Sequence, residues 1–220
     1  MQRARALLAR GLNQWFMDFA PETFRTTRVE TTEHIKKALL VTNDLRTLNP
    51  ATLKANPGVL PTLRMCTAPP LAVDRLIGLA STSKNLVRRM EMGKLPIKMP
   101  VVDLDTELSR ICGILVRLLD RDIFSWWDNN TSPSYQERDR AATIIADRLC
   151  SAVANPIVRN AQEQRQLALI GEYLDQHGYR KQGHPSDMPL WEMEPGTYAF
   201  RMNLPVGQAY KFNIPIDVVI

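Results

Sequence analysis

The sequence predicts an α+β (α/β) chain, with a mainly helical region over residues 1–155 and a sheet-bearing region with a β-hairpin over residues 156–220. Three observations lead to this class. Apolar residues recur at three- and four-residue spacing through the first two thirds, where prolines punctuate the pattern. Only ten glycines occur in 220 residues, which favours helices. From Thr197 onward the period changes to two, apolar residues alternating with polar ones as in a strand with one covered face.

Taken in order, Leu8, Leu12, Trp15 and Phe19 share one helical stripe and predict a surface helix that packs them inward. Arg3, Arg5 and Arg10 with no early acid also resemble a transit peptide, and the helix is the reading preferred here. Thr31 or Thr32 can cap a second helix carrying Ala38, Val41, Leu45 and Leu48, ended by Asn49-Pro50. Pro57, Pro61, Pro69 and Pro70 keep the next stretch irregular. A longer helix follows, with Ala72, Leu76, Leu79, Leu86 and Met90 inward and Gly93 as its stop.

Asp105 can cap a helix whose Leu108, Ile111, Leu115, Leu118 and Leu119 are apolar-facing. Trp126, Trp127 and the polar run Asp128-Asn129-Asn130-Thr131-Ser132-Pro133 mark a loop. Ser134 and Glu137 fit a capping box for a helix that should break at Asn155-Pro156. Another runs through Leu167, Ile170 and Leu174 to Gly178. Tyr198, Phe200, Met202 and Leu204 then form one face of a strand, Gly207 supplies a turn, and Tyr210, Phe212, Ile214 and Ile216 form the returning strand. Val218-Val219-Ile220 is apolar on both faces, as a strand entering a covered sheet would be. Two strands are marginal alone, so the chain reads as truncated.

Composition narrows the function. Hydrophobic residues make up 45% of the chain, enough for a packed core in one large or two small domains. The net charge of +5 permits a polyanionic partner without requiring one. Cys66, Cys112 and Cys150 show no CxxC spacing and read as free buried thiols in a reducing cytoplasm. His34, His177 and His184 are scattered, which leaves zinc chemistry little support. No run of ~18 apolar residues is apparent, so no membrane span is expected.

The residues with the clearest chemistry are Asn213-Ile214-Pro215-Ile216-Asp217-Val218-Val219-Ile220. A carboxylate among these apolar neighbours should be desolvated, which demands pairing, hydrogen bonds or a metal. An aspartate at a strand end, facing water or capping a turn, is the alternative, and both readings stay open. Pro215-Ile216-Asp217 after a hairpin and an upstream helix looks like the first half of a PD-(D/E)xK nuclease site. Three longer segments, APPLAVDRLIGLASTSKNLV (68–87), ADRLCSAVANPIVRNAQEQRQLALIGEYLDQHGYR (146–180) and YAFRMNLPVGQAYKFNIPIDVVI (198–220), resemble the XamI-type family of type II restriction endonucleases.

The resemblance implies a restriction-endonuclease-like core and Mg²⁺-dependent, site-specific hydrolysis of double-stranded DNA. Asp217 would be catalytic and a metal ligand. A Glu-x-Lys element belongs on the next strand, so the 220-residue chain is expected to be incomplete and inactive. Lys211 shares a face with Asp217 but lies ~20 Å away along an extended strand, too far for one site. An upstream helical glutamate often adds a metal contact, and Glu163 and Glu172 are available. Glu163 is in phase with Leu167, Ile170 and Leu174 and is the choice here; Glu172 should face solvent. A glutamate paired with an arginine such as Arg159 is the competing account of Glu163.

Residues 84–98 carry a net charge of +4, and Arg75, Gly78, Thr82, Asn85 and Arg89 fall on one polar stripe if the segment is a single helix. Arg75, Lys84, Asn85, Arg88 and Arg89 are the candidate DNA contacts, against the alternative of a solvated face. A homodimer would match two-fold DNA, and a cognate DNA methyltransferase would be a functional partner. A non-catalytic DNA-binding remnant and a helical protein-interaction module are the alternative functions.

Overall fold

The computed structural model describes residues 2–129, 131–184, 188–207 and 212–220, without the side chains of residues 2–10 and Phe212. Expectations placed on Asn130, Tyr210 and Lys211, and on the side chains of Arg3, Arg5, Leu8, Arg10 and Phe212, lie outside the described residues. The chain divides into two compact units, Glu22–Asn155 and Met1–Pro21 with Pro156–Ile220.

The predicted first two helices are one, α1 (Gln2–Val41), which continues through Pro21. Thr31 and Thr32 do not cap it. Their hydroxyls donate back to carbonyls one turn earlier, Thr31 Oγ1 to Thr27 O at 2.9 Å and Thr32 Oγ1 to Arg28 O at 2.7 Å. This is the other option open to a threonine beside a helix turn. Trp15 and Phe19 stack with ring centroids 4.8 Å apart.

In the Glu22–Asn155 unit, Asn49 Oδ1 accepts from Thr52 N at 2.9 Å and starts α2 (Pro50–Ala55). A 3₁₀ turn (Pro57–Val59) leads into α3 (Leu60–Met65), inside the stretch expected to be irregular. Prolines at the first positions of both fit, because their missing N–H is not needed there.

The predicted helix over 72–93 is two, α4 (Val73–Ala80) and α5 (Lys84–Glu91). Ser81 takes a left-handed φ of 46°, Thr82 is buried and donates to Glu107 Oε2 at 2.7 Å, and Ser83 Oγ accepts from Leu86 N to start α5. Leu79, expected inward, is 46% exposed because the break rotates α4 out of the shared phase. Gly93, with φ 73°, ends the segment as expected.

Helix α6 (Val101–Arg117) begins behind Pro100, so Asp105 sits one turn inside it and receives Lys54 Nζ at 2.9 Å instead of capping. Leu108, Ile111, Leu115 and Leu119 are buried as the spacing predicted. They join Leu45, Leu53, Leu60, Leu63, Leu76, Leu86, Met90, Phe124 and Trp126 in one core. Burial pushes the Cys66 thiol up to about 12 and the Cys112 thiol up to about 11, so neither is a nucleophile near neutral pH.

Helix α7 (Tyr135–Gln176) opens on the predicted capping box, Ser134 N donating to Glu137 Oε2 at 2.8 Å and Glu137 N to Ser134 Oγ at 3.2 Å. These bonds hold the Glu137 carboxyl below the usual carboxylate range. A lowered folded-state pKa contributes stability above the unfolded value and loses it as pH falls through the folded one. Ser134→Ala is therefore expected to destabilise the protein at about pH 7. The difference from the parent should shrink toward about pH 3 in parallel urea titrations.

The break expected at Asn155-Pro156 is absent: α7 runs through it, with Pro156 inside the helix. One proline removes one backbone bond, and a 42-residue helix has many others. Helix α7 also holds an 18-residue stretch of mean hydropathy 1.3, enough by length and composition alone to cross a membrane; 39% of it is buried in the protein. A core helix passes the same measure.

After α7, Gly178 takes φ 84° and the chain enters a three-stranded sheet in the order β1 (Arg180–Lys181), β2 (Thr197–Val206), β3 (Phe212–Val219). The β1–β2 pair is parallel and β2–β3 is the predicted antiparallel hairpin. Val218 and Val219 are only half-buried and Ile220 is exposed, so the end of β3 is less covered than its composition suggested.

Candidate functional site

One stripe of α7 lies along β2. Leu167, Gly171 and Leu174 are buried on it. Gly171 permits the close approach, since a Cβ there would stand 3.2 Å from Tyr198 Oη and 3.5 Å from the Phe200 ring. Tyr198 Oη donates to Asp175 Oδ1 at 3.0 Å, and burial together with that carboxylate pushes the phenol up. Tyr198 and Phe200 meet edge to face with centroids 5.3 Å apart, and Lys181 Nζ lies 5.2 Å from the centre of the Phe200 ring. A ring nitrogen of His184 lies 2.8 Å from Phe200 O.

A little over two turns before Gly171 on this stripe, Glu163 accepts a hydrogen bond from Arg201 Nη2 of β2 at 2.6 Å. The competing account of Glu163 as an ion-pair partner thus holds, with Arg201 in place of Arg159, and Arg159 is exposed. Glu172 is exposed, as predicted.

The β2–β3 register runs from Ala199 opposite Val219 to Val206 opposite Phe212 and omits one step, where Arg201 faces Asp217. Arg201 has a left-handed φ of 56° at this step. Opposed residues of an antiparallel pair have Cα atoms about 5 Å apart. The fold therefore brings the helix carrying Glu163 and the strand position of Asp217 to the two ends of one arginine.

Asp217 is exposed, which corrects the expectation that its apolar neighbours would desolvate it. Those neighbours lie on an uncovered part of β3, where alternation turns the carboxylate to water. Among the described residues, no three His, Cys, Asp or Glu side chains cluster as metal ligands. Arg201 was missed by the sequence reading. An arginine alternating with apolar residues on a strand reads as an outward, solvated position, and nothing in its identity announces a left-handed backbone.

In the other unit, Arg75, Lys84, Asn85 and Arg88 are exposed, and Arg89 is partly buried. The break at Ser81 removes the single stripe on which Arg75 and Arg89 were placed. Asn85 and Arg89 instead line a groove of about 610 Å³ with Lys98, Asp103, Glu107 and Arg110. Arg89 Nε is buried without a hydrogen-bond partner among the described residues. Lys98 was counted in the basic segment 84–98, but Arg110 was not anticipated, because α6 meets α5 only in three dimensions.

Residues 43–220 match the family described as XamI restriction endonuclease. The chain is 50% identical over 208 residues to the "Type II restriction enzyme SalI" of Streptomyces albus G, an alignment covering 94% of this chain and 66% of that protein. The chain thus spans a little under two thirds of the length of that relative. No solved structure matches it.

Proposed function

Because the chain belongs to the XamI restriction endonuclease family, we propose that it serves site-specific cleavage of double-stranded DNA by Mg²⁺-dependent phosphodiester hydrolysis. The observation that carries this reading is the linkage of Glu163 to the strand position of Asp217 through Arg201, within the residues that match the family.

The donor set fits magnesium in kind. Mg²⁺ favours oxygen ligands and is commonly held by one or two carboxylates, with waters and substrate phosphate completing its shell. Asp217 and Glu163 would hold it here. When bound, the ion would stabilise charge developing on the phosphate and acidify a water. The protein's own contribution is placement: Leu167, Gly171 and Leu174 seat α7 on β2, and the hairpin sets the position of Asp217.

Cleavage in this superfamily also asks for a second acid and a lysine beside it. Around Asp217 the register neighbours are Ala199, Arg201, Asn203, Pro215 and Val219, which supply neither. Within these residues the reading is therefore of duplex binding and of the first carboxylates of the cation site. Arg75, Lys84, Asn85, Arg88 and Arg89 are the proposed DNA contacts. A homodimer would match two-fold DNA, and a cognate methyltransferase would protect host sites. A reducing cytoplasm suits the three free, buried cysteines.

Replacing Lys84, Arg88 and Arg89 together by alanine is expected to weaken duplex binding at least ~10-fold and to reduce the log–log salt slope by about three. Fluorescence anisotropy across salt concentrations reads both. Unchanged binding would remove this face from the interface. Mg²⁺-dependent plasmid nicking that Asp217→Asn abolishes would support Asp217 as part of the cleaving site, and nicking untouched by that substitution would remove it.

A further inference from the structure

Arg201 combines three features that packing alone does not explain. Its backbone is left-handed, which costs free energy for any residue with a Cβ. It occupies the one step omitted from the β2–β3 register, opposite Asp217. Its guanidinium reaches Glu163 at 2.6 Å, yet the two side chains are 53% and 45% exposed, and ion pairs so exposed contribute little to stability. The strain is therefore not offset by the ion pair as such. What the geometry achieves is electrostatic: a positive charge is held on the Glu163 carboxylate by a residue whose backbone stands opposite Asp217.

We infer that Arg201 is the resident counter-cation of this site and competes with a divalent cation for the Glu163 carboxylate. The inference rests on the reading of Glu163 and Asp217 as the cation-holding pair. When a divalent cation takes Glu163, the guanidinium is released beside it, with its donors free for an anionic oxygen such as a DNA phosphate. Arg201 is thus a positioning residue, acting through Glu163. A magnesium-free protein would keep Glu163 charged and in place without accumulating negative charge.

The test is Mn²⁺ binding to the 220-residue chain, followed by water-proton relaxation, which needs no activity. Arg201→Gln is expected to bind Mn²⁺ about tenfold more tightly than the parent, the effect of removing one unit charge a few ångströms from a half-exposed site. Arg201→Lys should stay near the parent. Arg201→Asn, whose side chain tolerates left-handed backbone, repeats the charge removal should the glutamine variant fold poorly. Affinity equal to or below the parent's in the neutral variants, or no binding in any of them, overturns the inference. Adding Glu163→Gln should erase the gain, and a gain that survives it also overturns the inference. A gain that needs Glu163 but is untouched by Asp217→Asn leaves the competition standing and removes Asp217 from the cation site.

Discussion

Glu91→Ala is expected to cost about 3–5 kcal/mol of folding stability, the loss that follows when one partner of a buried ion pair is removed. Arg64 is 8% exposed, and its guanidinium forks onto Glu91, Nε to Oε1 at 2.8 Å and Nη2 to Oε2 at 2.6 Å, while Nη1 donates to the carbonyl of Leu71. Without Glu91 the guanidinium keeps its charge and loses the only carboxylate that it contacts among the described residues. Urea unfolding followed by circular dichroism measures the change. The double variant Arg64→Met/Glu91→Leu should recover most of it, since an apolar pair of similar volume carries no desolvation cost. A small loss in Glu91→Ala would mean that water reaches Arg64. By contrast the half-exposed pair of Lys54 and Asp105 should contribute no more than about 1 kcal/mol. The pair also ties α3 to α5, the helix that carries the proposed DNA contacts Lys84, Asn85, Arg88 and Arg89. Weaker duplex binding should accompany the lost stability.

Periodicity carried most of what the sequence revealed. The Leu108–Leu119 stripe and the capping box of Ser134 and Glu137 are local signals, each decided within a few turns of chain, and the structure keeps them; β2 forms where alternation placed a strand, though Thr197, Tyr198 and Ala199 are all buried at its start. Helix boundaries were less legible because the same residues serve two purposes. Thr31 and Thr32 could cap a helix or bond back to the previous turn, Asp105 could cap or receive Lys54, and Pro156 could end a helix or sit within it. For Asp105 the choice is made by Lys54, a residue far along the chain.

The site divides in the same way. The place of Glu163 on the α7 stripe was legible from its phase with Leu167 and Leu174, whereas the neighbours of Asp217 predicted a burial that the fold does not give. Arg201 was not, because its role depends on strand register, helix packing and a backbone angle together. The groove of Arg89, Lys98 and Arg110 was invisible for the same reason. Residue 91 shows the limit most plainly: counted as the lone acid of a basic segment, it is engaged by Arg64 and offers little to a polyanion.

Trp126→Ala should be comparably damaging, at about 3–5 kcal/mol. The side chain is 1% exposed and packs edge to face on Phe124 with centroids 5.4 Å apart. It also holds a strained turn. Asn43, Asp44 and Leu45 are consecutive left-handed residues, with φ of 47°, 56° and 70°. Each costs on the order of 1 kcal/mol or more, so the turn persists only because its surroundings over-determine it. Trp126 Nε1 donates to Asp44 O at 3.0 Å, Arg138 holds the Asp44 carboxylate at 2.9 and 2.7 Å, and Leu45 N donates to Thr42 Oγ1 at 3.1 Å. Alanine leaves a cavity and an unpaired Asp44 carbonyl together. Phenylalanine fills much of the cavity but cannot donate, so Trp126→Phe should lose about 1–3 kcal/mol, the cost of the unmet hydrogen bond. Far-UV circular dichroism in urea separates the two, since it does not depend on the indole being replaced. If phenylalanine cost nothing, the hydrogen bond to Asp44 would not be what keeps the turn left-handed. The ion pair with Arg138 would then carry that role, and Arg138→Met would show the larger loss.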